Sequence, residues 1–314
     1  MKTMFKNIKY TSIAITLLIA IVITYISIEF FGEYGWTLFV IVPFLIGFLP
    51  PYLVGRTQQQ TKKESYKISF LTLLLACLSL LVFAYEGIIC ILMASPIAMV
   101  LTFVGSHLAY ILRNGKLGNP NNTMMALVLV TVSCMGFDTM NEPTPLIPIK
   151  TKIVVNAPIE KVWNNVVIFS HIEEPTEWIF KTGVAYPIDA RIEGTGVGAV
   201  RYCNFTTGSF VEPITTWNEP HLLQFDVKDQ PIPMTEYNPF WEIHPPHLDG
   251  YFKSYKGQFQ LSEINENQTQ LEGTTWYKVD ITPEIYWQMW SDFILHKIHE
   301  RVLEHIKKES EGKK

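Results

Sequence analysis

Two regimes of hydropathy meet near residue 145. From about residue 10 to 140, apolar residues run on with only scattered charges. From residue 149 onward they recur at the short spacings of a folded soluble domain. In the first regime five stretches, roughly 10–31, 35–54, 67–85, 87–112 and 123–140, approach the ~20 residues that cross a bilayer as a helix. The fifth is diluted by Thr131, Ser133 and Gly136. The first has a long apolar core with no small-residue cleavage site after it, so it reads as a retained span rather than a leader. Residues 1–140 are thus predicted as an all-α transmembrane region of about five helices, and the proline-rich 141–148 (NEPTPLIP) as a stiff linker.

Residues 149–314 form the second domain. Ile149 to Val155 is short and β-branched, which suits a strand. Pro158 is placed at the first helical position, where its missing N–H costs nothing. Val162, Trp163, Val166 and Val167 then repeat at helical spacing. A second short helix is expected in 170–180, interrupted by Pro175. Five strands follow at about 198–207, 209–217, 221–227, 250–263 and 268–279, with turn residues between them, which indicates an antiparallel sheet. Thr282-Pro283-Glu284 opens a long final helix with Tyr286, Trp290, Phe293, Ile298, Val302 and Ile306 on its apolar face.

The opening NAPIEKVW, the GTGVGAVR turn, the paired last strands and the amphipathic final helix resemble the polyketide cyclase/dehydrase, START-like group, also called SRPBCC or Bet v 1-like. The resemblance covers about residues 149–309. It implies an α+β helix-grip fold, a curved antiparallel sheet around a long C-terminal helix. It also implies a cavity between the two for lipids, polyketides or other hydrophobic small molecules. These elements are diagnostic of fold and weak for activity, because the fold hosts many activities.

Charge adds topology. Residues 1–147 hold nine Lys/Arg and six Asp/Glu, and residues 148–314 hold sixteen and twenty-three, for an overall net charge of −4. The acidic second domain speaks against nucleic acid as a partner. If the five spans alternate, all nine N-terminal basic residues fall on one side. Lys2, Lys6 and Lys9 precede the first span, Arg56, Lys62, Lys63 and Lys67 join spans two and three, and Arg113 and Lys116 join four and five. Glu29, Glu33, Glu86, Asp138 and Glu142 take the other side. Basic loops face the cytoplasm, so the C-terminal domain is expected outside it. Four spans with the fifth lying in the interface would reverse that placement. Cys77, Cys90, Cys134 and Cys203 show no metal or redox spacing and read as small buried hydrophobes.

Candidate chemistry is sparse. Residues 228–248 carry five prolines with Met234, Tyr237, Phe240 and Trp241, and suggest a lid over the cavity. His247 and Asp249 are the candidate acid/base pair. His244-x-x-His247 lacks an evident third ligand, and neither metal nor cofactor is expected. Strand alternation puts Arg201, Tyr251, Tyr255, Thr275 and Tyr277 on the cavity side and Glu272 and Trp276 outside, an assignment that a one-residue slip reverses. Arg201 is read either as a ligand-anchoring cation or as half of an ion pair on the sheet. Trp178 and Trp290 complete the candidate lining. Glu173, Glu174 and Glu177 read as a solvated face, as do His299 and His305. The expected partners are a hydrophobic small molecule or lipid, and a membrane. A membrane-anchored binding domain, a cyclase/dehydrase-type enzyme on a lipophilic substrate and a membrane sensor remain as alternatives.

Overall fold

A computed structural model describes residues 2–32, 34–114, 120–140 and 144–312; Glu33, Lys116, Glu142 and the start of the linker, 141–143, lie outside these. The chain divides into two compact units. The first comprises Met1–Pro143 with Glu236–Pro245 and Ile281–Pro283; the second holds the remainder.

The first unit is helical, with α1 (Lys2–Tyr25), α2 (Val42–Val54), α3 (Lys62–Val82), α4 (Ile88–Asn114) and α5 (Pro120–Asp138). Short π-helical turns, Ile26–Phe30 and Thr37–Ile41, extend α1 and lead into α2. Among the described residues, four helical stretches are long and apolar enough to cross a membrane: Ile8–Phe30, Thr37–Val54, Lys62–Val82 and Ile88–Asn114. The fifth predicted span is also a helix, the 19 residues of α5.

α2 is the hub, and nearly all its residues are buried. Pro51 cannot donate to the carbonyl of Gly47 one turn earlier. Ser69 of α3 supplies that hydrogen bond instead, Oγ to Gly47 O at 2.6 Å. Gly47 and Gly105 let α2 and α4 touch backbone to backbone. A Cβ on Gly47 would run into Thr102, and one on Gly105 into the Phe44 carbonyl. Small residues play this part where helices pack without a hydrophobic driving force between them. The outer faces stay apolar, with Leu18 63%, Leu74 57%, Val100 62% and Val128 62% exposed.

The second unit is a seven-stranded antiparallel sheet: β1 (Ile147–Val155), β2 (Pro187–Glu193), β3 (Val200–Phe205), β4 (Gly208–Asn218), β5 (Leu222–Asp226), β6 (Phe252–Asn265) and β7 (Gln268–Val279). The spatial order is β1-β7-β6-β5-β4-β3-β2. The last helix, α7 (Glu284–Glu311), lays Val302, Leu303 and Ile306 onto Leu223, Leu261 and Leu271 of the sheet. α6 (Ile159–Val167) closes the same core with Trp163, whose ring meets Trp217 edge-on at 5.6 Å.

Three expectations require correction. β2 is absent from the sequence reading because it is a short edge strand opened by a proline, with exposed Arg191 and Glu193 breaking the apolar alternation. The helix expected in 170–180 is only a 3₁₀ turn, Trp178–Thr182. Pro158 caps α6 from outside, with extended ψ of 150°, rather than occupying its first turn.

Candidate functional site

A cavity of about 130 Å³ lies between the sheet and α7. Phe169, Phe225, Phe259, Ile298 and Val302 make its walls mostly apolar, and Pro231–Pro233 border one side. The volume is close to the ~150 Å³ of a dry cavity that accepts benzene, so it holds about one ring.

One polar feature of this cavity is an ion pair. Arg201 of β3 and Glu212 of β4 are direct partners in the antiparallel register. The Arg201 Nη1 donates to Glu212 Oε2 with the two residues only 2% and 6% exposed. Three phenyl rings surround the guanidinium, with centroids 5.4 Å (Phe169), 5.4 Å (Phe225) and 5.5 Å (Phe259) from its central carbon. Such contacts stabilise a cation out of water. The Nε and Nη2 of Arg201 have no hydrogen-bond partner among the described residues. Burial raises the Glu212 carboxyl, and Arg201 opposes that rise. Cys203 also lines the cavity; burial pushes its thiol up to about 12, which leaves it a small hydrophobe.

A second polar group comes from α7. His299 lines the cavity, and its Nε2 lies 2.8 Å from the Thr275 hydroxyl. Its Nδ1 lies 3.1 Å from the Thr151 hydroxyl, which sits 2.8 Å from the His296 Nδ1. Burial lowers the His299 imidazole from the ordinary 6.5 to about 4. The expectation that His299 faces solvent is therefore wrong. Spacing carried the signal, since His299 lies four residues after Leu295 and three before Val302, on the buried stripe.

The other predicted site residues divide. Arg201 and Thr275 border the cavity. Tyr277 points inward but is fully buried beside it, donating to Asp292 at 2.5 Å, and burial, with this carboxylate, raises its hydroxyl strongly. Glu272 and Trp276 face outward, Glu272 pairing with Lys152 and Lys150 and Trp276 lying under Lys256. Tyr255 is placed outside, contrary to the alternation. A β-bulge between Ser254 and Lys256 inserts one residue and flips the faces before it. Tyr255 is 38% exposed between Lys253 and Lys278, while Gly257, Phe259 and Leu261 keep the inner face. Tyr251 precedes the strand and is not among the lining residues. Trp178 stacks on Phe293 and Trp290 meets the same ring edge-on, both outside the lining. His247 lies within the 3₁₀ turn Pro246–Leu248 and Asp249 follows it, both outside the lining.

The expected lid divides as well. Gln230 to Pro233 border the cavity, whereas Glu236–Pro245 belongs to the helical unit. There Asn238 donates to Leu81 O and Glu86 O, and the Trp241 indole donates to Val82 O.

Strand order and final helix define an α+β domain of the helix-grip class. No protein-family profile matches the chain, and no curated protein matches it. Similar solved structures include norcoclaurine synthase from Thalictrum flavum in complex with dopamine and hydroxybenzaldehyde, at 14% identity, TM-score 0.35, over 55% of this chain and 90% of that one. The ZhuI aromatase/cyclase from Streptomyces sp. R1128 matches at 12% identity, TM-score 0.34, over 53% and 94%. A protein from Nitrosospira multiformis matches at 18% identity, TM-score 0.33, over 52% and 96%. Scores this low carry no argument, so fold and function rest on the geometry above.

Proposed function

We propose that this chain is a membrane-anchored, START-like binding protein whose cavity takes a small apolar molecule bearing a neutral oxygen acceptor. The observation that carries the reading is Arg201, enclosed by three phenyl rings in a one-ring cavity with two of its nitrogens, Nε and Nη2, unpartnered among the described residues. Buried donors without partners are costly, and a ligand oxygen relieves that cost. Glu212 already neutralises the guanidinium, so a ketone or phenol oxygen suits the site better than a second carboxylate. The small volume favours a ring or short chain over a whole lipid.

Anchoring is supported by the apolar outer faces of the four long helices. A non-cytoplasmic second domain is supported by contacts at one end of the helical unit. The Asp138 carboxylate at the end of α5 accepts from Trp36 N and Thr37 N, both at 2.9 Å, where the chain enters α2. That brings the end of α5 to the connection the charge pattern places outside the cytoplasm, as a fifth crossing requires. Thr282 N donates to Tyr34 O at the same connection.

The test is calorimetric binding of acetophenone and ethylbenzene to the full-length chain. The ketone is expected to bind at least about tenfold tighter, a difference of ~1.4 kcal/mol, and Arg201→Met to abolish the preference. Equal binding of both by the unaltered chain refutes the anchor role, and binding of neither refutes the cavity as a binding site.

A further inference from the structure

We propose that Thr275, His299, Thr151 and His296 form a proton relay that takes a proton from a hydroxylated ligand in the cavity and delivers it to His296, making the site an acid–base centre. This rests on the binding reading above. The inference starts from connectivity. Thr275 Oγ1 to His299 Nε2 is 2.8 Å, His299 Nδ1 to Thr151 Oγ1 is 3.1 Å, and Thr151 Oγ1 to His296 Nδ1 is 2.8 Å. Thr275 and His299 line the cavity, while Thr151 and His296 do not. Thr151 lies on β1, at the edge of the sheet. The relay therefore runs out of the cavity sideways, under α7, to an edge strand.

Hydrogen-bond chemistry makes this chain directional. A threonine hydroxyl has one proton, so Thr151 donates to one histidine and accepts from the other. A neutral imidazole likewise donates at one nitrogen and accepts at the other. Orienting any one group orients all four. In one sense Thr275 donates to His299 and offers lone pairs to the cavity; in the other it accepts from His299 and offers its proton.

The transfer balances. The ligand O–H proton passes to Thr275 Oγ1 as the Thr275 proton passes to His299 Nε2. The His299 Nδ1 proton passes to Thr151 Oγ1, and the Thr151 proton to His296 Nδ1. The ligand is left as an oxyanion, and His296, which keeps its Nε2 proton, as imidazolium. Nothing is oxidised or reduced. His299, which burial holds neutral to about 4, conducts without storing the charge. Arg201 in the same cavity offers its free N–H groups to the oxyanion. Neighbouring charges are already engaged: Glu212 of the cavity with Arg201, Lys256 of the cavity with the Trp276 ring, Lys297 with Glu300 on α7, Asp292 with Tyr277, and Lys150 and Lys152 with Glu272 on the outer face of the sheet.

The experiment uses 4-nitrophenol as probe and the full-length chain with ¹⁵N-labelled histidines, at a pH just above the ~6.5 of an ordinary imidazole, read against the free probe and the ligand-free chain. Binding is expected to produce nitrophenolate absorbance together with an imidazolium signal at His296, and His299 is expected to stay neutral. Thr151→Val lies outside the cavity lining, so it is expected to keep the nitrophenol affinity within about twofold. It is expected to lower both signals at least about tenfold, the equivalent of one pKa unit. Thr151→Ser, which returns the hydroxyl, is expected to restore them. Nitrophenol bound without imidazolium at His296, or signals indifferent to Thr151→Val, overturns the relay alone. No nitrophenol bound to the unaltered chain overturns the relay and the binding reading together.

Discussion

Arg201 and Glu212 face each other across β3 and β4, one hydrogen bond apart, with both charges out of reach of bulk water. Taking two ions from water costs several kcal/mol each, and the pair returns this only while both members remain. Arg201→Met is expected to destabilise the second unit by about 3–5 kcal/mol at neutral pH. The double variant Arg201→Met/Glu212→Leu is expected to recover most of that loss. The pH dependence has a definite sign. The Glu212 carboxyl titrates above the ordinary 4.5 in the folded chain, so the fold binds its proton more tightly than the unfolded chain does. Stability falls as pH rises from 4.5 through the raised value, and the fall steepens once Arg201 is gone. Thermal melts of the two variants and the unaltered chain across that range check both statements.

His299 titrates in the opposite direction. Its imidazole ordinarily takes a proton near 6.5 but waits until about 4 in the fold. The unfolded chain therefore binds more protons over that window. Stability is full above 6.5 and is lost as pH falls toward 4, with a limiting slope of about 1.4 kcal/mol per pH unit. His299→Leu lowers stability at neutral pH by stranding the Thr275 hydroxyl, whereas Thr151 keeps His296. It is also expected to flatten the acid limb of the profile. A limb unchanged in the variant would assign the acid loss to other groups.

Gly257 and Gly273 sit on the inner face of adjacent strands but differ in what a methyl group would meet. At Gly257 a Cβ collides with the Phe225 ring, a wall of the cavity. At Gly273 it meets Leu303 at 3.6 and 3.8 Å, ordinary contact. Gly257→Ala is expected to cost about 1–3 kcal/mol and to drive Phe225 into the cavity, weakening acetophenone binding. Gly273→Ala, also in the lining but with only ordinary contacts to make, is expected to change stability by less than about 1 kcal/mol and to weaken binding less than Gly257→Ala does. Melting temperatures and calorimetry on the two variants test the contrast.

Sequence reading succeeded where one physical rule governs a whole element. The apolar lengths of α1 to α4, the strand alternation in β7 and the amphipathic face of α7 follow from solvent and period alone. Thr275 and Tyr277 face inward and Glu272 outward because no irregularity interrupts β7. In β6 the same rule failed at Tyr255, since a bulge shifts the faces and Ser254 gives no local sign of it. The site itself was half legible. Arg201 stood out as a charge in an apolar strand, but Glu212 is its partner only through the β3–β4 register. The Thr151–His296–His299–Thr275 chain joins residues more than a hundred positions apart, and only the fold brings them together.

The placement of the second unit beyond the membrane is open to chemical labelling. Glu266 lies in the exposed β6–β7 turn, and Lys63 is exposed at the start of α3. Cys203 is buried with its thiol held protonated, so it contributes little background. Cys77, Cys90 and Cys134 lie within the apolar helices α3, α4 and α5. A membrane-impermeant maleimide is therefore expected to label Glu266→Cys on intact cells and to label Lys63→Cys only after lysis. The fifth crossing by α5 requires that outcome, because an even number of crossings returns Glu266 to the side of Lys63. If Glu266→Cys is protected on intact cells and reacts after lysis, α5 does not cross. The Asp138 bonds to Trp36 and Thr37 would then serve packing alone.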